Sequence, residues 1–179
     1  MRQLVKKPSV QVVTANASPS EVGDSGIEVK PLGLRIISVL DPTADVLRRS
    51  GIERGMRVLD LGCGVGDVSL WIARLVGPSG LVVGVDESAE AIDVAQKRAT
   101  VAGQCYWTRF VRADPDTFVP HEPFDAVVVR LTLLGQGGPA TFLRLSAFVR
   151  RDGVTLVVSS AGQSHMPIQY LIEMGRLLS

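Results

Sequence analysis

A chain of 179 residues with 46% apolar side chains has material for one sizeable core, and nineteen basic groups against eighteen acidic ones leave a formal charge of +1, too weak a field to gather a nucleic-acid backbone. Two cysteines, Cys63 and Cys105, are too few for a disulfide framework or a four-ligand zinc site, so no metal is expected and a reducing, cytoplasmic location fits. No stretch approaches the roughly 18 consecutive apolar residues of a membrane span, and the basic start (Arg2, Lys6, Lys7) leads into no secretory apolar run, so a soluble protein is expected.

Residues 1–31 mix Pro8, Pro19, Gly23, Gly26 and several serines without a sustained period. They read as an irregular N-terminal arm, or as a lid over a ligand, ahead of one domain over 32–179. Asp41-Pro42 has the form of an N-cap followed by proline in the first turn; Val46 and Leu47 give that short helix an apolar side, and Gly51 stops it. From Met56 the pattern alternates: strand 56–61, helix 67–76, strand 81–85, helix 88–102, strand 106–111. In the first helix Val68, Trp71, Ile72, Leu75 and Val76 recur at three and four residues, which sets one face against a sheet before Gly77-Pro78-Ser79-Gly80 breaks it. The second has Ser88 as N-cap, a narrow stripe of Ile92, Ala95, Ala99 and Ala102, and Asp93 one turn before Lys97. The β-branched run Asp125–Val129 suits a strand covered on both faces. A helix over 139–149, a strand over 154–159 and a last segment with Ile168, Leu171, Ile172 and Leu178 at helical spacing complete the series. Strand and helix in alternation predict a parallel, doubly wound α/β sheet.

The chemistry concentrates in Val58–Asp67, a buried strand running into a glycine turn and then a helix. Glycines at 62, 64 and 66 allow a tight bend and close approach to a ligand. Asp86 closes the next strand, where a carboxylate can accept hydrogen bonds from both hydroxyls of a ribose. A dinucleotide fingerprint fails at its third glycine, since Asp67 or Ser69 stands there, and no Gly-Lys-Ser/Thr follows the turn as a Walker loop requires.

What remains, Asp-x-Gly-x-Gly-x-Gly from Asp60 to Gly66, resembles motif I of class I S-adenosylmethionine-dependent methyltransferases. Val82–Ser88 is similar to that family's second strand with its ribose-binding acid. Phe110–Asp114 is similar to the third strand with the aspartate at the adenine amino group, Phe124–Val129 to the fourth strand, and Val149–Val154 to the loop before the fifth. The resemblance spans roughly residues 41–160 and is greatest to the small-molecule, ubiquinone/menaquinone-biosynthesis type of domain. It implies a Rossmann-like sheet of about five strands in the order 3-2-1-4-5, S-adenosylmethionine as cofactor and a small-molecule methyl acceptor. It also implies a cofactor contact set of Asp60, Gly62, Cys63, Gly64, Asp86, Glu87, Ala113, Asp114 and Arg130.

Each assignment has a plainer counterpart. Asp60 orients the loop, reaches the cofactor ammonium, or caps the turn. Asp86 near Ser88 also suits a helix start, and Asp114 before Pro115 also suits a turn. Arg130, at the carboxyl edge of the fourth strand, faces a carboxylate of cofactor or substrate, or is structural. Cys63 is a small apolar filler more readily than a reactive thiol. His121 and His165 read as surface residues, and Trp71 and Trp107 as packing.

Methyl transfer needs an oriented nucleophile and a dry pocket rather than a dedicated base, so the missing catalytic dyad is no objection. The Asn/Asp-Pro-Pro-Tyr/Phe signature of amino-methylating nucleic-acid enzymes is missing after the fourth strand, where Arg130–Leu134 stands instead. Only 26 residues follow Gly153, so the family's C-terminal antiparallel hairpin is expected to be absent. The fifth strand would then present its edge to a second copy or to the terminal helix. Two competing functions stay open: a noncatalytic methyltransferase-like binding domain and an NAD(P)-dependent oxidoreductase.

Overall fold

The computed structural model describes residues 12–14, 36–39, 47, 50–130, 141, 144–145 and 147–158. Expectations placed at 41–46, at 131–140, over 159–179 and at His165 lie outside the described residues, and so does the question of a C-terminal hairpin. The described strands are β1 (Val12–Thr14), β2 (Ile36–Val39), β3 (Arg57–Leu61), β4 (Leu81–Asp86), β5 (Thr108–Arg112), β6 (Phe124–Arg130) and β7 (Val149–Val158). Two helices join the central ones, α1 (Asp67–Val76) and α2 (Ala89–Val101). No described helix is long and apolar enough to cross a membrane.

The seven strands form one sheet, β1-β2-β7-β6-β3-β4-β5, and every pair is parallel. Taken from β5 to β7, its five main strands have the expected order 3-2-1-4-5. The chain runs β3, β4, β5 outward on one side and then returns to place β6 and β7 on the other. The order therefore reverses beside β3, and the carboxyl ends of β3, β4 and β6 meet at the crevice where such sheets bind ligands.

Two features correct the sequence reading. The sheet has two described strands beyond the expected set of about five, and β2 lies along the edge of β7 expected to meet a second copy or the terminal helix, pairing Ile36 with Thr155 through Val39 with Val158. Runs of three or four residues carry no usable period; the partner's ladder makes them strands. The stretch 149–153, expected as a loop, is the start of β7, with Phe124 opposite Val149 and Ala126 opposite Val154. The extra residues bulge opposite Asp125, whose carboxylate takes the Arg57 N–H at 2.7 Å and the Arg150 guanidinium at 2.8 Å. Gly153 lies so close to Val149 Cγ1 and the Asp125 carbonyl that a Cβ would collide with both. The helix expected to reach residue 149 has ended by Ala147–Phe148, which form a turn before β7.

One core cluster joins the sheet to α1. Val58, Val82, Ala126, Val128, Val154 and Leu156 of the strands meet Val68, Ile72, Ala73 and Val76 of the helix, with Leu47 and Ile52 beside them. A second cluster of Cys63, Leu70, Ile92, Ala95, Ala99 and Phe110 seats α2. The small alanines bring α2 close to the strands, as the stripe implies, although Ala102 is exposed at the helix end. Trp71 departs from the expected apolar face. It is 39% exposed and lies under the Arg74 guanidinium at 4.7 Å, while Leu70 and Ala73 take the buried positions. Trp107 does pack on the core, and its indole N–H donates to the Ala73 carbonyl at 2.9 Å.

Candidate active site

The glycine turn between β3 and α1 is held from two sides. Above it, the Val85 carbonyl at the end of β4 accepts both the Gly62 and the Cys63 N–H, at 2.8 and 3.0 Å. From the same strand end Asp86 Oδ2 accepts the Gly64 N–H at 2.8 Å, and its Oδ1 takes the Ser88 N–H at 3.0 Å. From the opposite neighbour, β6, Arg130 donates Nε to the Gly62 carbonyl at 2.6 Å and Nη2 to the Cys63 carbonyl at 3.4 Å. The turn is thus fixed by the two strands flanking β3, which preorganises it without a ligand.

A cleft of about 540 Å³ opens over this turn, lined by Gly62, Gly64, Val65, Asp67, Asp86, Glu87, Asp114, Pro115, Asp116 and Arg130. Gly62 and Gly64 have φ of 73° and 54°, so their backbone presents itself to the cleft in a conformation that suits glycine. Gly66 does something different. With φ of 83° it caps α1, and a Cβ there would come within 3.1 Å of Ala95 and 3.3 Å of Phe110, so its role is packing against α2 and β5.

The expected contact residues divide accordingly. Gly62, Gly64, Asp86, Glu87, Asp114 and Arg130 are brought together at the cleft. Asp60 is not on its wall: it is 1% exposed, and its Oδ2 accepts the Ser69 hydroxyl at 2.5 Å. Burial holds its carboxyl up at about 6, with Asp86 adding to the rise and the Ser69 bond and the Arg130 charge opposing it. Cys63 points into the second core cluster, where burial and the charges of Asp60 and Asp86 keep its thiol protonated, far above the ordinary range. Ala113 is half-buried beside the cleft and donates its N–H to the Asp86 carbonyl at 3.0 Å. Asp114 lines the cleft while also closing its own turn, accepting the Asp116 N–H at 2.8 Å and the Thr117 hydroxyl at 3.2 Å. His121 belongs to a different groove, with Arg57, Arg109 and Phe124.

Sequence reasoning missed Asp67, Asp116 and Ser69. Asp67 opens α1, and Asp114-Pro115-Asp116-Thr117 has the composition of an aspartate-capped turn, so both carried a local signal. Ser69, in the first turn of an apolar helix, carried none. With these residues the cleft has five carboxylates and one guanidinium, partly compensated by Arg98 on Asp67 at 2.6 Å and by Arg144 near Asp116 at 4.0 Å. That balance suits a ligand with positive charge and a diol. It opposes a dinucleotide, whose pyrophosphate would meet Asp67 at the head of α1. The residues present therefore fit S-adenosylmethionine: glycine backbone for close approach, Asp86 and Glu87 as acceptors for ribose hydroxyls, and a net acidic wall for a cationic sulfur.

A methyltransferase domain model matches residues 52–174. The chain is 34% identical to a probable cobalt-precorrin-6B C(15)-methyltransferase (decarboxylating) of Thermoplasma acidophilum, over 83% of this chain and 68% of that protein. It is also 34% identical to the ubiquinone/menaquinone biosynthesis C-methyltransferase UbiE of Azotobacter vinelandii, over 61% of this chain but only 44% of the relative. Among solved structures, a SAM-dependent methyltransferase from Thiobacillus denitrificans in complex with S-adenosyl-L-homocysteine matches with a TM-score of 0.56 and 27% identity, covering 64% of this chain and 46% of that one. The chain thus spans about two thirds of one curated relative's length and under half of the other's. With the sheet order, the clamped glycine turn and the domain match in agreement, this chain belongs to the S-adenosylmethionine-dependent methyltransferase family.

Proposed function

We propose that the chain transfers a methyl group from S-adenosylmethionine to a small-molecule acceptor. When bound, the cofactor supplies a methyl on a sulfonium, whose in-line transfer breaks the carbon–sulfur bond, joins the carbon to the acceptor's nucleophilic atom with loss of a proton from the acceptor, and leaves S-adenosylhomocysteine. Gly62 and Gly64 admit the cofactor's methionyl part close to the backbone. Asp86 and Glu87 hold the ribose, and Asp114 stands where the adenine ends. Arg130 keeps the turn in place. The acidic lining also favours the charged cofactor over its neutralised product, which helps exchange one for the other.

The observation that carries this reading is the joint between Asp86 and Gly64, which ties the ribose acid to the turn across two strands. The named relatives methylate carbon, so carbon nucleophiles of quinone or tetrapyrrole type form the first acceptor panel. Calorimetric titration with S-adenosylmethionine, S-adenosylhomocysteine and NAD tests the cofactor. Micromolar binding of the first two with none of NAD is expected. Transfer of label from methyl-labelled cofactor into one of the panel compounds then establishes the activity. Cofactor binding with no transfer would instead favour a noncatalytic binding domain.

A further inference from the structure

Away from the cleft, one stretch of the sheet shows an apolar face with no helix over it. Along β4 and β5 the side chains alternate: Val82 and Phe110 join the clusters that seat α1 and α2, whereas Leu81, Val83, Arg109 and Val111 belong to the other face. The chain that passes over this second face is the β5–β6 connection, residues 113–123. It carries Pro115, Pro120 and Pro123 and forms turns rather than a helix. A groove of about 420 Å³ is left over Leu81, Val83 and Val111, bounded by Phe118 and Val119 of the connection. That volume falls in the range of small-molecule sites.

The charges round the groove do not cancel. Its polar lining is Arg57, Arg109, His121 and Glu122. Glu122 is already paired with Arg57 at 3.1 Å, and Arg57 lies over the Phe124 ring at 5.7 Å with its Nε buried and lacking an acceptor among the described residues. Arg109 forms no ion pair among the described residues, so one guanidinium is left uncompensated. An apolar floor beside an uncompensated guanidinium and a buried N–H without an acceptor is complementary to an amphipathic anion. The apolar body covers Leu81, Val83 and Val111, and the head accepts from the arginines.

We propose that this groove binds a soluble organic anion, an apolar body with a single carboxylate, sulfonate or phosphate head, at a site separate from the cofactor cleft. The cleft lies at the carboxyl ends of β3, β4 and β6, and the groove over the first residues of β3, β4 and β5. Arg144 fixes the connection between them, donating to the Pro115 and Phe118 carbonyls at 2.9 and 3.1 Å, so the groove wall is formed without a ligand. No groove residue has a part in the proposed methyl transfer, so either function can fail without the other.

Fluorescence titration of the full chain with 8-anilinonaphthalene-1-sulfonate, followed by competition with octanoate and with octanol, tests the site. Saturable binding is expected, with octanoate displacing the probe at a concentration at least about tenfold below octanol, the gain from a charge-assisted contact. S-adenosylmethionine should leave the probe in place. Arg109→Gln should weaken octanoate about tenfold and leave octanol unchanged. Val119→Asp, at a position 69% exposed and therefore harmless to the fold, should weaken both. Equal potency of octanoate and octanol, unchanged binding in the two variants, or displacement by S-adenosylmethionine would each overturn the proposal. So would failure of the probe to bind. A mass by light scattering that falls as the probe binds would also overturn it, by making the groove a contact between copies of the chain.

Discussion

Asp86 and Gly64, 22 positions apart in sequence, are joined by a 2.8 Å hydrogen bond from the glycine N–H to the carboxylate, while the second carboxylate oxygen holds the Ser88 N–H at the head of α2. One side chain thus fixes the turn, starts a helix and still offers lone pairs to the cleft. Asp86→Ala removes the carboxylate that accepts the Gly64 and Ser88 N–H groups, and with it the proposed ribose acceptor. The expected cost is about 1–3 kcal/mol of stability, read as a lower melting temperature, with S-adenosylmethionine affinity reduced at least tenfold. Unchanged affinity in a folded variant would remove the ribose assignment.

Arg130 makes the matching contact from the other side, and its loss should read differently. Arg130→Lys keeps the charge but not the fork that spans two successive carbonyls. It is expected to weaken cofactor binding about as much as Arg130→Ala, because the bonds to Gly62 and Cys63 rather than the charge hold the turn. Recovery of near-normal affinity in the lysine variant would show that charge alone matters there.

Asp60 makes stability depend on pH in an unusual sense for a carboxylate. Its folded value of about 6 lies above its ordinary 3.8, so between those values the folded chain holds a proton that the unfolded chain has lost. Stability from this group is therefore complete below the lower value and lost as pH rises through the higher one, by about 3 kcal/mol. Asp60→Asn retains a partner for Ser69 and carries no charge. It should raise the melting temperature of the cofactor-free protein at pH 7–8 and have little effect at about pH 4, as differential scanning fluorimetry across that range would show.

The glycines of the turn separate function from packing. Gly64→Ala meets nothing closer than Arg130 Nη2 at 3.5 Å, so the expected loss is the 1–2 kcal/mol or so of a left-handed alanine, accompanied by poor cofactor binding. Gly66→Ala adds a clash with Ala95 and Phe110 to the same strain, for about 3 kcal/mol. Melting curves should rank Gly66→Ala below Gly64→Ala, while cofactor titration of the folded fractions ranks them in reverse.

How far the sequence could reach follows from which signals are local. Helix α1 over 67–76 and the Ser88 cap were legible because periodicity and capping chemistry lie within a few residues of one another. The place of Gly62, Gly64 and Asp86 at the cleft was legible because a glycine turn after one strand and an aspartate closing the next lie at the carboxyl edge of the sheet. Asp60 belonged to the same motif, yet the sequence left its place open, because whether a strand-end carboxylate turns to the cleft or inward depends on finding a partner such as Ser69 on another element. Likewise the bulge at 150–153 depends on Asp125 across the sheet, and β2 depends on a free edge more than 100 residues away.

That edge gives the last expectation. Hydrogen bonds between β2 and β7 cover a strand whose sequence, Val154-Thr155-Leu156-Val157-Val158, is β-branched, uncharged and free of proline, the composition that pairs indiscriminately when its ladder is open. Removing residues 1–40 takes β1 and β2 away and leaves the central order β7-β6-β3-β4-β5 with its glycine turn. The shortened chain is expected to retain the cleft and to associate through β7, so light scattering should show dimers or larger species at concentrations where the full chain gives a smaller mass. Because the cleft is built at the carboxyl ends of β3, β4 and β6, cofactor affinity should survive that association within a few fold. A truncated chain that keeps the full chain's oligomeric state would show that β2 is not what guards the edge.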